Sequence, residues 1–172
     1  MNNLLVLLAL VGMLGFSSLA RAQNQSIPEC KSPESRQFDF WVGEWDILKN
    51  GTTDIAGKSS VQLILGNCVI FENYTNKAFA GKSFNIYNEG LKKWQQFWVD
   101  NTGSVIEFEG EFKNQEMLFT GESYDPKDGK VLQRMKFTPM PEGKVRQLLE
   151  QSKDNGKTWT VAYDGIYVKK KQ

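Results

Sequence analysis

The chain contains no histidine. That absence removes Ser-His-Asp and Cys-His catalysis, ordinary His-based zinc sites and His-ligated haem. Arginine is nearly as scarce: apart from Arg21, it occurs at Arg36, Arg134 and Arg146. An excess of one charge is lacking too, with 21 basic residues against 20 acidic ones. Without Arg21 the two balance. Nothing resembles the basic face that binding to nucleic acid requires. The run Lys169-Lys170-Lys171 reads as a solvated end. The apolar run Leu4–Phe16 has 13 residues, short of the roughly 20 that a membrane-spanning helix needs.

That run is followed by Ala20-Arg21-Ala22, a small-x-small cleavage pattern. Together they predict a removed signal peptide, residues 1–22, a mature start at Gln23 and a secreted or periplasmic protein. Met1-Asn2-Asn3 departs from the usual pattern in supplying no Lys or Arg. No cysteine stands at a lipidation-like position after the run, so neither a lipid anchor nor a membrane span is expected. The 150 residues after Ala22 amount to one domain, long enough to bury a sizeable core. Cys30 and Cys68 are the only cysteines. In an exported chain such a pair predicts one disulfide, worth roughly 3–4 kcal/mol in the chain-entropy model. The alternative is two unpaired thiols, with Cys68 a small buried apolar residue.

From Trp41 onward the chain reads as short β-like runs between turn signals, without helix-length apolar periodicity. Val105–Phe112 is the clearest strand: Ile106, Phe108 and Phe112 alternate with Glu107, Glu109 and Glu111, giving one dry and one wet face. Such alternation belongs to antiparallel sheets. The other runs fall at 44–49, 58–65, 68–76, 82–88, 93–100, 115–122, 130–138, 143–151 and 158–168. Between them lie Asn50-Gly51, Gly66-Asn67, Glu89-Gly90, Asn101-Thr102-Gly103, Asp128-Gly129, Glu142-Gly143 and Asn155-Gly156, residues suited to tight hairpin turns. About ten strands joined by short turns predict an all-β fold, a closed antiparallel up-and-down barrel over 41–172 that hides its edges. A two-sheet sandwich is the runner-up. Residues 23–40, with Pro28 and Pro33, read as an N-terminal extension with one helical turn.

The block Phe38-Asp39-Phe40-Trp41-Val42-Gly43-Glu44-Trp45 contains Gly43-x-Trp45, which resembles the G-x-W that opens the first strand of lipocalins. That resemblance implies a structural role for Gly43 and Trp45: the indole closes the barrel base beneath an arginine from a late strand. Arg134 and Arg146 lie on late strands, and Arg146 is favoured. The whole chain after the leader also resembles a family of secreted bacterial lipocalin-like barrels of unknown function. The resemblance runs through Gly66–Asn73, Gly81–Asn88, Lys93–Asp100, Val145–Gln147 and Ser152–Trp159, and implies the fold without an activity. Ser152-Lys153-Asp154-Asn155-Gly156-Lys157-Thr158-Trp159 is similar to the Asp-box hairpin of sialidase propellers. One box and so few arginines argue against a sialidase, leaving Ser152, Asp154, Gly156 and Trp159 structural roles.

A site is expected between Glu72 and Asp100. Trp94, Gln96, Trp98 and Asp100 share one strand face; Ser83, Asn85 and Tyr87 share another. Aromatics alternating with hydrogen-bonding groups suit a cavity for a polar, partly flat ligand. If these faces point inward, Glu72, Arg146 and Glu150 complete a charged lumen. Arg146 would be its strong cation, pairing with Asp100 or Glu150 or receiving a ligand carboxylate. The other reading turns this face outward and fills the interior with Phe97 and Val99. Three functions compete. One is a small-molecule binding or carrier barrel, without cofactor or metal. The second is a His-free enzyme using carboxylates such as Glu72, Asp100 and Glu150, and the third is a structural barrel filled by its own side chains.

Overall fold

A computed structural model describes residues 29–170. The expected signal peptide and the segment 23–28 lie outside the described residues. Ten strands follow one another: β1 Gly43–Lys49, β2 Ile55–Ile64, β3 Val69–Thr75, β4 Ala80–Asn88, β5 Lys93–Asp100, β6 Val105–Lys113, β7 Glu116–Asp125, β8 Gly129–Pro139, β9 Val145–Ser152 and β10 Thr160–Lys169. Each pairs antiparallel with the next, and β10 pairs with β1, so the sheet closes on itself. This is the up-and-down barrel that the turn spacing predicts, and it is compatible with a lipocalin-like fold. Among the described residues no helix is long and apolar enough to cross a membrane.

The period-two patterning sorts each strand into an inner and an outer face. On β6, Phe108 is buried while Val105, Glu107, Glu109 and Glu111 are exposed. On β5, Trp94 and Gln96 are buried, whereas Phe97 is 40% and Val99 44% exposed. The face carrying Trp94, Gln96 and Trp98 is therefore the inner one, and Phe97 and Val99 look outward.

Because the chain meanders, its turns alternate between two ends. The turns β2–β3, β4–β5, β6–β7 and β8–β9 gather at one end, the base. The turns β1–β2, β3–β4, β5–β6, β7–β8 and β9–β10 gather at the other, the mouth. Residues 29–42 close the base. They form two single-turn 3-10 helices, Glu34–Arg36 and Asp39–Trp41, not one. Phe38, just before the second helix, and Trp41 within it point to the interior, both with no exposed surface. Phe38 stacks on Trp41 with centroids 5.0 Å apart, meets Phe137 at 4.9 Å and meets Trp94 edge-on at 5.8 Å. Phe38 thus belongs to the barrel core, although the sequence reading set 23–40 apart as an extension. Such ring contacts add about 0.5–1.5 kcal/mol per pair to the burial itself.

A Cys30–Cys68 disulfide ties this closing segment to the β2–β3 turn. The Cys30 amide also donates to Gly66 O. Trp45 lies at the base with its Nε1 donating to Trp41 O at 2.9 Å. The cation over its ring is not Arg146. Lys169 stands directly across from Trp45 in the β1–β10 register, and its Nζ lies 3.9 Å from the indole centroid. Lys169 also donates to Val42 O at 2.8 Å. Arg146 sits on the outward face of β9, where Nε and Nη2 donate to the two carboxylate oxygens of Asp164, each at 2.8 Å.

Candidate ligand cavity

Above the aromatic base the interior is not filled. A cavity of about 460 Å³ opens at the mouth, lined among others by Glu72, Tyr74, Phe79, Gln96, Trp98 and Tyr163. Its walls are aromatic because glycines make room for rings. Trp98 lies over Gly81, where a Cβ would sit 2.3 Å from the indole; Tyr163 lies likewise over Gly165, at 2.6 Å from its hydroxyl. Near the mouth, Tyr74 and Phe79 stand 5.6 Å apart, and Trp98 meets them at 6.0 and 6.4 Å.

The floor is polar. Glu72, on the inner face of β3, is 3% exposed. Its carboxylate accepts from Ser59 Oγ at 2.8 Å and Ser83 Oγ at 3.1 Å. The Tyr167 hydroxyl lies 3.4 Å from Glu72 and donates to Gln147 Oε1 at 2.6 Å. Both serines are the cross-strand neighbours of this part of β3: Val61 faces Glu72 from β2, with Ser59 two residues along, and Ser83 faces it directly from β4. Burial pushes the Glu72 carboxyl up to about 7, against the lowering effect of the Ser59, Ser83 and Tyr167 hydrogen bonds. No lysine or arginine is among the described residues lining the cavity. A buried carboxyl with hydrogen bonds but no counter-charge takes up a proton in preference to remaining an isolated anion.

The network continues sideways. Asn85 donates to Ser83 Oγ at 3.0 Å and to Ile70 O at 3.1 Å, and Gln96 donates to Asn85 Oδ1 at 2.6 Å. Tyr163 adds a hydroxyl that is buried and lacks a hydrogen-bond partner among the described residues. Burial raises the ionisation of Tyr163 and Tyr167 well above the ordinary tyrosine range, so both remain neutral phenols. Asp100 sits at the rim. Partial burial opposes its charge, but donors from Thr102, Trp98 and the Thr102 and Ser104 amides prevail and hold it below the ordinary aspartate range. Trp98 Nε1 donates to it at 3.0 Å.

The structure brings together Glu72, Gln96, Trp98 and Asp100 around this space, with Asn85 one layer behind. Trp94 lies deeper, 1% exposed, in the aromatic base, with Nε1 donating to Gln37 Oε1 at 3.3 Å. Arg146 and Glu150 are elsewhere. Both alternate with Gln147, Leu149 and Gln151, which line the cavity, so both point outward. Glu150 accepts from Arg134 Nε at 2.8 Å and Nη2 at 3.1 Å. Arg134 in turn lies 4.3 Å above the ring centroid of Trp159. Among the described residues the lumen therefore contains no arginine to receive a ligand carboxylate.

At the β9–β10 turn, Asp154 Oδ1 accepts from Ser152 Oγ at 2.8 Å and from the Thr158 amide at 2.9 Å. Ser152 Oγ accepts from the Gly156 amide at 2.8 Å. Asn155 and Gly156 both take positive φ. These bonds stay within the hairpin and hold no group toward the cavity.

Tyr74, Phe79, Tyr163 and Tyr167 were not among the residues singled out from the sequence. The inner alternation of β3, Ile70-Glu72-Tyr74, would have placed Tyr74 beside Glu72. Tyr163 was hidden by a bulge in β10 between Val161 and Tyr163, which shifts the register of inner and outer positions. Among known proteins, no family model and no curated sequence matches the chain.

Proposed function

We propose that this protein is an exported, lipocalin-like barrel that binds a small molecule in its lumen. The observation that carries this reading is the cavity of about 460 Å³, within the roughly 300–1,000 Å³ typical of ligand sites. It is closed at one end by packed rings, open at the other, and lined by aromatic walls with a few convergent polar groups. The volume speaks against a barrel filled by its own side chains. The enzyme reading loses its third carboxylate, since Glu150 is engaged with Arg134 on the outer face. The Cys30–Cys68 bridge supports a secreted or periplasmic location. Native mass spectrometry of the purified protein tests the binding reading. A bound mass released on denaturation, and lost in Trp98→Ala, is expected. Protein that is ligand-free as isolated and takes up no aromatic compound from a mixed panel would defeat it.

A further inference from the structure

We infer that the cavity selects a ligand with a flat apolar body and a positively charged nitrogen, which is seated against the Glu72 carboxylate. This deepens the binding reading above and rests on it.

Charge decides the class. The titratable groups facing Glu72 are Tyr74 from its own strand and Tyr163 and Tyr167 from β10; β2 and β4 present Ser59 and Ser83, and β9 presents Gln147. Asp100 lies in the same cavity, nearer the mouth. None of these is cationic. An anionic ligand would meet two acidic groups in a partly desolvated space without a compensating cation, which is strongly unfavourable. A cation meets the reverse arrangement. It would supply the missing counter-charge to Glu72, and its approach would pass Tyr74, Phe79 and Trp98, rings whose negative faces attract cations. Asp100 is already saturated by Thr102, Ser104 and Trp98, whereas Glu72 has hydrogen bonds but no counter-ion. The apolar remainder of the ligand would lie against Ile106, Phe108 and Leu149, which line the same space.

Binding of such a cation must favour the ionised form of Glu72. The raised ionisation of the empty site, about 7, therefore makes capture proton-linked: the bound ammonium displaces a proton from the carboxyl. Affinity for a permanently protonated amine should rise with pH across neutrality, while affinity for a neutral analogue stays level.

The test uses the full chain after leader removal and isothermal titration with three compounds sharing one body: 2-(1-naphthyl)ethylamine, 2-(1-naphthyl)ethanol and 1-naphthylacetate. At about pH 8 the amine should bind at least about tenfold more tightly than the alcohol, the ratio equivalent to one pKa unit, and the acetate should bind most weakly. Glu72→Gln should bring the amine down to about the level of the alcohol, with circular dichroism reporting that the variant is folded. For the unaltered protein, amine affinity should rise about tenfold between about pH 5.5 and pH 8.5. This second measurement decides the matter if Glu72→Gln does not fold. Equal binding of all three, or preference for the acetate, overturns the cation assignment and leaves the binding barrel standing. Binding of none to a cavity of this size removes both.

Discussion

At the base of the barrel, Phe38, Trp41 and Phe137 meet ring to ring and Trp45 meets Tyr167, all with at most 1% of their surface exposed. At the mouth, Tyr74, Phe79 and Trp98 stand around an open space. The two ends use the same residue types, so composition does not separate them. The difference is the segment 29–42. It folds back across the base and supplies Phe38 and Trp41 as filling, held there by the Cys30–Cys68 bridge. No segment does this at the mouth among the described residues, and the inner positions there become polar: Glu72, Gln96, Gln147 and Gln151. With residues 29–42 filling only the base, a pocket is left at the mouth.

The sharpest way to break this comparison is to empty the base. Trp41→Ala should lower unfolding free energy by about 3–5 kcal/mol, the usual cost of deleting a fully buried large aromatic. Urea denaturation followed by circular dichroism would measure it. Trp98→Ala at the mouth should cost clearly less stability and instead weaken ligand capture. Equal stability losses at the two positions would erase the distinction between filled and open ends.

Removing the tie is the next largest change. Replacing both cysteines by serine should cost about 3–4 kcal/mol, read as a lowered denaturation midpoint, with the mouth's binding properties retained in the protein that remains folded.

The third test concerns the floor of the mouth. Glu72 has an ordinary value of 4.5 when unfolded and about 7 when folded. The folded state therefore retains this proton at pH values where the unfolded chain has lost it. Stability contributed by the neutral carboxyl is full below about pH 4.5 and declines as pH rises through about 7. The integrated effect is on the order of 3 kcal/mol. Glu72→Gln should flatten that decline and leave the protein more stable than the unaltered chain at about pH 8. An unchanged pH profile would show that the floor is wet and its carboxyl unperturbed.

The smallest effect belongs outside the lumen. Arg146→Ala breaks a partly exposed pair with Asp164 and should cost no more than about 1 kcal/mol, with ligand affinity unaltered. A large loss of affinity would return Arg146 to the interior.

Ten strands and their turns were readable because hairpin turns advertise themselves in Gly and Asn, and because β6 alternates phenylalanine with glutamate. β5 was readable for a different reason: two tryptophans on one face have no comfortable place outside. β9 was not. Its inner positions are Val145, Gln147, Leu149 and Gln151, and its outer ones include Arg146, Leu148 and Glu150, so hydrophobicity does not distinguish the faces. Charge suits Arg146 and Glu150 to ligand contact, yet charge is also what fixes them on the wet side, where Arg146 finds Asp164 and Arg134 finds Glu150. The exchange of an expected arginine for Lys169 above Trp45 was equally hidden, since it depends on the register of β1 against β10, residues at opposite ends of the chain.

That same register governs the order in which the molecule assembles. Nine of the ten strand pairings join neighbours in sequence, and each forms within a hairpin. The tenth, β1 with β10, unites Trp45 with Lys169 and requires nearly the entire polypeptide. A chain made from its amino end can therefore build hairpin upon hairpin, but one edge of β1 stays open until the last strand arrives. Closure of this seam spans the longest loop of the ten pairings, and so is the pairing that loop entropy opposes most. The Lys169 contacts to Trp45 and Val42 form only then, which makes the last described strand the clasp of the whole ring.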